Sequence, residues 1–418
     1  MDQSGEPADA VLAALADLRR DDVAWAAGRT FSLVYDGGPA VHDVAERAAR
    51  LFLHENALNT AAFPSLATIQ SDVVGWTGEL LHAPPGAAGF LTSGGTESIQ
   101  CAVLAARERA RAERGVTDPE IVVAESAHAA FHKSAHLFGL RAVTTPVRGD
   151  WTADVEAMAA AVGPRTVLVV GSAPQYPQGV LDDIPAIAEV AASVGANCHV
   201  DACMGGFVLP FAERLGRDVP AWDFRVEGVH SISADVHKLG YAPKGVSVIL
   251  HRSKDLRRYQ TFVFDGWLGG RYGSPNLQGT RSGAPMAAAW AVMRRLGVDG
   301  YVELTARTLD AADRLRAGIA GIEGVRVLGD SAFHVVAMAA DGGGVDVFAV
   351  GDDLRAHGWY LDRQGPPDTL HATVSQGNAA TVDAYLADLA DAVAARRAAG
   401  PANDAPGTDR ATPYATLE

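Results

Sequence analysis

Between residues 121 and 252 the chain alternates short runs rich in β-branched residues with alanine-rich segments of helical period, and this alternation restricts the fold more than any other feature. The runs are IVVAE (121–125), AVTTPV (142–147), TVLVVGSA (166–173), NCHVDA (197–202), HSISAD (230–235) and GVSVILHR (245–252). Helical patterns at 129–138, 153–162 and 184–194 lie between several of them. Neighbouring parallel strands need a crossover long enough to hold a helix, so strand–helix alternation predicts a mostly parallel sheet covered on both faces. The last two runs flank only a short segment, which predicts an antiparallel strand there.

Around this block the pattern changes. Residues 7–20 and 43–54 read as amphipathic helices, separated by an extended stretch around Gly28 to Gly38. Beyond residue 290 come a helical region (300–322), the runs VRVLG and HVVAMAA, a helix near 346–357, a strand near 370–375 and a last helix at 379–397. At 418 residues the chain exceeds the usual size of one domain. The expected division is an N-terminal helical and extended segment (1–60), a large α/β domain (61–290), a small α+β domain (291–397) and a disordered Pro/Ala/Asp-rich tail (398–418).

Charge and cysteine usage exclude several functions. A net charge of −15 argues against nucleic-acid backbone binding, which needs a basic surface. Cys101, Cys198 and Cys203 lack C-x-x-C spacing and build no disulfide framework, which fits a reducing cytoplasm, and no metal is expected. The opening MDQSGEPADA is not a signal peptide, and no apolar run is long enough to span a bilayer.

Three segments carry chemistry. Thr92-Ser93-Gly94-Gly95-Thr96-Glu97-Ser98 precedes a convincing helix, so two glycines and a helix N-terminus can approach an anion; the plain alternative is a turn whose Ser or Thr caps the helix. In His199-Val200-Asp201-Ala202-Cys203 a carboxylate ends an apolar strand, where ligands bind open α/β sheets; it suits pairing with a pyridinium nitrogen, or simply capping the next turn. Lys238, just past the run that ends in Asp235-Val236-His237, sits in an apolar Gly/Pro-rich setting suited to a Schiff base; alone it would count as one more solvated lysine. Together, the three would grip the phosphate, the ring nitrogen and the aldehyde of pyridoxal phosphate.

The segments GFLTSGGTESI, ESAHAAFHKSAHLFG, SAPQYPQGVLDDI, HVDACMGGFVLPF, SISADVHKLGYAPKGVSVIL and GWLGGRYGSPNLQGTRSG resemble the sphingosine-1-phosphate lyase family, in order, from about Gly28 to about residue 395. The resemblance implies a fold-type-I pyridoxal-phosphate enzyme related to the group II decarboxylases: a large domain on a mostly parallel seven-stranded sheet, a small C-terminal α+β domain, and a homodimer with shared active sites. It implies that Lys238 forms the Schiff base beside His237, that Asp201 pairs with the ring nitrogen and that His128 stacks on the ring. Gly94, Gly95 and Thr96 then hold the phosphate, and Tyr176 relays a proton. Tyr35 and Lys244 match residues that bind a substrate phosphate, while Ser274 and Arg281 lie on the loop directed toward the partner's cofactor. One departure stands out: the family's Asn-Pro-Leu-His aligns with Asn56-Ala57-Leu58-Asn59, so Asn59 replaces a histidine. Losing that charge-assisted contact would weaken phosphate binding by about 1–3 kcal/mol. His132 also stands where the family has Asn or Asp.

The implied reaction is retro-aldol cleavage of a phosphorylated β-hydroxy amine, such as a sphingoid-base phosphate, to an aldehyde and phosphoethanolamine. Two other activities use the same cofactor residues: α-decarboxylation of an amino acid, and cleavage of an unphosphorylated β-hydroxy amine. A silent relative that binds pyridoxal phosphate without turnover is the reading from a different class.

Overall fold

The computed structural model describes residues 4–342 and 344–399. Seven strands form the large sheet: β1 (Ala88–Thr92), β2 (Glu120–Ala124), β3 (Arg141–Thr145), β4 (Thr166–Ser172), β5 (Asn197–Asp201), β6 (Val229–Ala234) and β7 (Ser247–His251). Their spatial order is β1-β7-β6-β5-β4-β2-β3. The β2, β4 and β5 strands are buried along their whole length, the signature of strands covered on both faces. β7 runs antiparallel to both neighbours, β1 and β6, as its short connection to β6 requires.

Register then sets where chemistry can occur. Ser172 lies opposite Asp201, and Asp201 opposite Ser233, so the loops after β4, β5 and β6 leave the sheet at one carboxyl edge. Because Thr92 pairs with Ser247 on antiparallel β7, the loop after β1 opens at that same edge.

Several elements escape the sequence reading, β1 and the helix Pro64–Leu80 among them. β1 is a short run without strong alternation. The helix Pro64–Leu80 does carry helical period, with Leu66, Ile69, Val73 and Thr77 buried, and has Pro at its start. It packs on the long helix Gly283–Ala320, where Trp290 Nε1 donates to Asp72 Oδ2 at 2.8 Å. That long helix crosses the 290/291 division and breaks at Gly297 (φ 55°, ψ −171°), a backbone conformation that favours glycine.

The C-terminal part folds on a four-stranded antiparallel sheet in the order β10-β11-β13-β12, made of β10 (Val325–Leu328), β11 (Val335–Ala340), β12 (Asp362–Gln364) and β13 (Thr369–Thr373). Its core includes Phe348, Trp359 and Tyr385. Phe31, from the extended N-terminal stretch, is fully buried in the same core, 4.9 Å from the Tyr385 ring. Asn378 Nδ2 holds that stretch through the carbonyls of Gly28 and Thr30. The last helix is Val382–Ala399; the rest of the tail lies outside the described residues. A two-stranded ribbon, β8 (Phe262–Phe264) with β9 (Tyr272–Ser274), leaves Phe262, Phe264, Trp267 and Leu268 exposed. Among the described residues no helix is long and apolar enough to cross a membrane, and all three cysteines are free and buried.

The buried histidines make the fold acid-sensitive. Burial pulls His199, His230, His251 and His371 down to about 4 and His334 to about 3, whereas an unfolded histidine titrates at about 6.5. The unfolded chain therefore binds protons that the native state refuses, so stability is intact above about pH 6.5 and falls as pH drops toward 4. Asp182 acts in the opposite sense, because burial raises it to about 6 and it releases a proton on unfolding near pH 5. The histidines outnumber it. Unfolding at pH 5 should take up roughly four protons net, and stability should fall by about 5 kcal/mol per pH unit there. Calorimetric melts across pH 5–7 measure this; a melting temperature that is flat through the window contradicts it.

Candidate active site

At the carboxyl edge of the large sheet, the loops after β1, β5 and β6 close around a cavity of about 350 Å³. Its walls include Gly94, Gly95, Thr96, His128, Asp201, His237, Lys238 and Lys244.

The loop after β1 turns directly into the helix Gly95–Arg114. No side chain caps that helix at Gly94, so the capping alternative is set aside. The nearby hydroxyls are spent elsewhere: Thr92 Oγ1 and Ser98 Oγ share a hydrogen bond at 2.6 Å, and Ser98 continues to Ser247 at 3.1 Å. Glu97 instead reaches back to accept from the Ser93 N–H at 2.7 Å. The first-turn N–H groups and the positive end of the helix dipole border the cavity, a ready anion site. Gly95 is required by close approach: a Cβ there would lie 2.8 Å from Cys203 Sγ and 2.9 Å from Asp235 Oδ2.

Asp201 closes the turn and also lines the cavity. Its Oδ1 closes the turn, accepting from Cys203 N–H at 3.1 Å and from Ser233 Oγ at 3.2 Å. No hydrogen bond falls on Oδ2 among the described residues, and Asp201 lines the cavity. His199 lies behind it. Since Ser233 gives its proton to Asp201, His199 Nε2–H must donate to Ser233 (3.2 Å), leaving Nδ1 to accept from Ser231 at 2.8 Å. Burial keeps this imidazole neutral, so it orients Ser233 without adding charge.

Lys238 Nζ lies 3.0 Å from Asp235 Oδ2, a buried carboxylate the sequence reading did not single out. Ser247 Oγ donates to Asp235 Oδ1 at 2.6 Å. Burial alone would raise Asp235, but the Lys238 and His237 charges and the Ser247 hydrogen bond outweigh it and hold the carboxyl below its usual range. The only sequence signal for it was an acid at a strand end three residues before the lysine. His237 donates from Nδ1 to the Val246 carbonyl at 2.7 Å, and burial lowers its pKa against the pull of Asp235. Lys244 donates to the His237 carbonyl at 3.0 Å and stands 4.8 Å over the Tyr35 ring. Although Lys244 is exposed as a residue, burial around its ammonium and the neighbouring Lys238 charge pull it down to about 8.

His128 lies two residues before the helix Ala130–Phe138 and borders the cavity. Its Nδ1 accepts from the Ala130 N–H at 3.1 Å, and burial lowers its pKa, so the ring is neutral with Nε2 protonated. It also borders a second, larger cavity of about 680 Å³, whose wall carries Tyr176, Trp151 and Asp362. Tyr176 lines this second space rather than the first. Its hydroxyl donates to Asp362 Oδ2 at 2.6 Å, and its ring lies on His371 with centroids 4.1 Å apart.

The remaining expected residues stand outside the Lys238 cavity. Arg281 N–H donates to Asn56 Oδ1 at 3.4 Å, and the Arg281 guanidinium binds the Ala57 carbonyl at 2.6 Å. Exposed Asn59 caps its own turn, Oδ1 accepting from Ala61 N–H at 3.0 Å and Ala62 N–H at 3.4 Å. Ser274 is buried and donates to the Asn276 carbonyl at 2.7 Å. His132 is exposed on its helix.

The pyridoxal-dependent decarboxylase conserved domain matches residues 41–339. The chain is 38% identical to the sphingosine-1-phosphate lyase of Arabidopsis thaliana over 391 residues, covering 92% of this chain and 71% of that one. The solved structure of Burkholderia pseudomallei sphingosine-1-phosphate lyase superposes with a TM-score of 0.91 at 39% identity, over 96% of this chain and 93% of that one. Lactobacillus brevis glutamate decarboxylase shares the fold, with a TM-score of 0.83 at 21% identity over 95% of this chain and 94% of its own.

Proposed function

This chain belongs to the sphingosine-1-phosphate lyase family, within the pyridoxal-dependent decarboxylases, and from that premise we propose that it is a pyridoxal-phosphate-dependent carbon–carbon lyase. Its substrate is a phosphorylated β-hydroxy amine of the sphingoid-base class, cleaved to a long-chain aldehyde and phosphoethanolamine. One observation carries this reading: a single cavity holds a lysine amine on a buried carboxylate, a strand-end aspartate with an open oxygen, and an uncapped helix start.

Those groups fit the cofactor's three handles. Gly94, Gly95 and Thr96 would hold the phosphate, Asp201 the ring nitrogen, His128 the ring face and Lys238 the aldehyde end. Bound there, pyridoxal phosphate supplies an electron sink for the electrons of a bond at the amine-bearing carbon. The Asp201 charge would keep a ring nitrogen placed there protonated, and Ser233 and the Cys203 N–H keep Asp201 aimed. Lys238 and His237, both beside Asp235, are placed to hold and return protons, and Tyr176 handles the proton of the substrate hydroxyl. Lys244 over Tyr35 gives the cationic contact for the substrate phosphate.

The working unit is a homodimer. Supporting this are the exposed apolar residues Phe262, Phe264, Trp267 and Leu268 on the ribbon that leads into Ser274 and Arg281. Those two residues, with Asn56 and Asn59, then belong to the surface around the partner's site. The free, buried cysteines suit a reducing cytoplasm.

The deciding experiment offers phosphorylated dihydrosphingosine and a panel of amino acids to the cofactor-loaded protein and reads products by mass spectrometry. A long-chain aldehyde from the phosphorylated amine is expected. Carbon dioxide from an amino acid, without aldehyde, would assign a decarboxylase instead.

A further inference from the structure

Tyr176 and Asp362 come from different parts of the molecule, the loop after β4 and strand β12 of the small sheet. Their 2.6 Å hydrogen bond links residues 186 apart in sequence. The phenol is the donor, because the carboxylate can only accept. The tyrosine ring is also held from its face by His371, which is fully buried and tied to Thr373 Oγ1 at 2.8 Å. Burial pulls His371 down to about 4, so this support is a neutral ring and brings no competing positive charge. Tyr176, Asp362 and His128 border one cavity, and His128 in turn borders the cavity of Lys238.

A tyrosine whose proton is already committed to a carboxylate is poorly suited to donate toward a ligand and well suited to accept from one. We propose that Asp362 is a positioning residue that makes Tyr176 the acceptor of the substrate's β-hydroxyl proton. This inference rests on the lyase reading above. As the substrate O–H bond breaks, a new O–H bond forms at the Tyr176 oxygen, while the original Tyr176 O–H bond breaks and the proton joins Asp362 Oδ2. The negative charge thus passes from the carboxylate to the substrate oxygen, whose electrons form the aldehyde carbonyl as the carbon–carbon bond breaks and its electron pair stays on the amine-bearing carbon, where the bound cofactor would take it up. The Asp362 carboxyl is half-buried and returns its proton by exchange with solvent. Because Asp362 sits on the small sheet, this proton acceptor is assembled only when that sheet is docked against the loop carrying Tyr176.

The test uses four variants of the loaded enzyme: Asp362→Asn, Asp362→Glu, Tyr176→Phe and the Tyr176→Phe/Asp362→Asn double. Aldehyde release from phosphorylated dihydrosphingosine is measured alongside the melting temperature of each. Asp362→Asn keeps an acceptor oxygen for the tyrosine but removes the charge. It should lower kcat about 10- to 100-fold with KM changed less than about threefold. Asp362→Glu should recover part of kcat, which a purely structural role would not yield. The double variant should be no slower than Tyr176→Phe alone, since both changes remove one unit. The melting temperatures should show the same non-additivity without substrate. Wild-type kcat in Asp362→Asn, or losses that multiply in the double variant, overturn the proposal while leaving the lyase reading intact. No aldehyde from the wild-type enzyme overturns both.

Discussion

Lys238→Ala should abolish the visible absorption of lysine-bound pyridoxal phosphate and lower kcat/KM for aldehyde release by about 10³-fold or more, since it deletes the proposed covalent anchor. Two lysines line the cavity, and their surroundings separate them. The Lys238 amine rests on buried Asp235, whereas Lys244 is held by the His237 carbonyl and the Tyr35 ring. Lys244→Ala should therefore keep the band and chiefly raise KM for phosphorylated substrates. Removing Lys238 also leaves the Asp235 carboxylate buried with a neutral serine and a histidine whose pKa burial lowers, which costs about 3–5 kcal/mol of stability. Lys238→Arg distinguishes the two effects: it returns a positive charge to Asp235 but offers no amine for the aldehyde. Absorbance spectra and melting curves of both variants check this. A band that persists in Lys238→Ala assigns the anchor to another residue.

Asp201→Asn should reduce kcat about 10²–10³-fold with little change in KM, because it removes a preorganised charge and almost nothing else. The side chain is nearly isosteric, and its amide oxygen can still accept from Cys203 N–H and Ser233 Oγ. What changes is the open position, where an amide replaces Oδ2. An amide N–H facing the ring nitrogen favours its unprotonated form, so electrons reaching the ring are less stabilised. The cofactor should remain bound, as its absorbance would show, and the melting temperature should move by only a few degrees. A kcat within twofold of wild type would mean that Asp201 serves the turn alone.

Much of the site was readable along the chain because each part lies within a few residues of a strand end. Asp201 and the Gly94-Gly95-Thr96 turn each follow an apolar run directly, and Lys238 follows the strand that neighbours Asp201. A parallel sheet delivers such loops to one edge, so local patterns were enough to group them. Tyr176 was legible as a motif, but its partner was not, since Asp362 lies on a short strand of another sheet with no local signature. Asn59 shows the converse. A departure from the family motif marked it, yet its side chain is engaged by the turn that follows it.

The alternating runs thus determined a mostly parallel sheet from sequence alone, and the three strand-end segments pointed to a pyridoxal-phosphate site with Lys238 as its proposed anchor. These features depend on periodicity and on residues close in the chain, where spacing alone restricts what can meet. Only the tertiary structure decided that Asp235 carries the lysine, that the Gly95 helix starts uncapped, and that the Tyr176 hydroxyl hydrogen-bonds Asp362. Each of these depends on which side chains burial and strand register bring within hydrogen-bond distance, and such choices follow from the packing of the whole molecule.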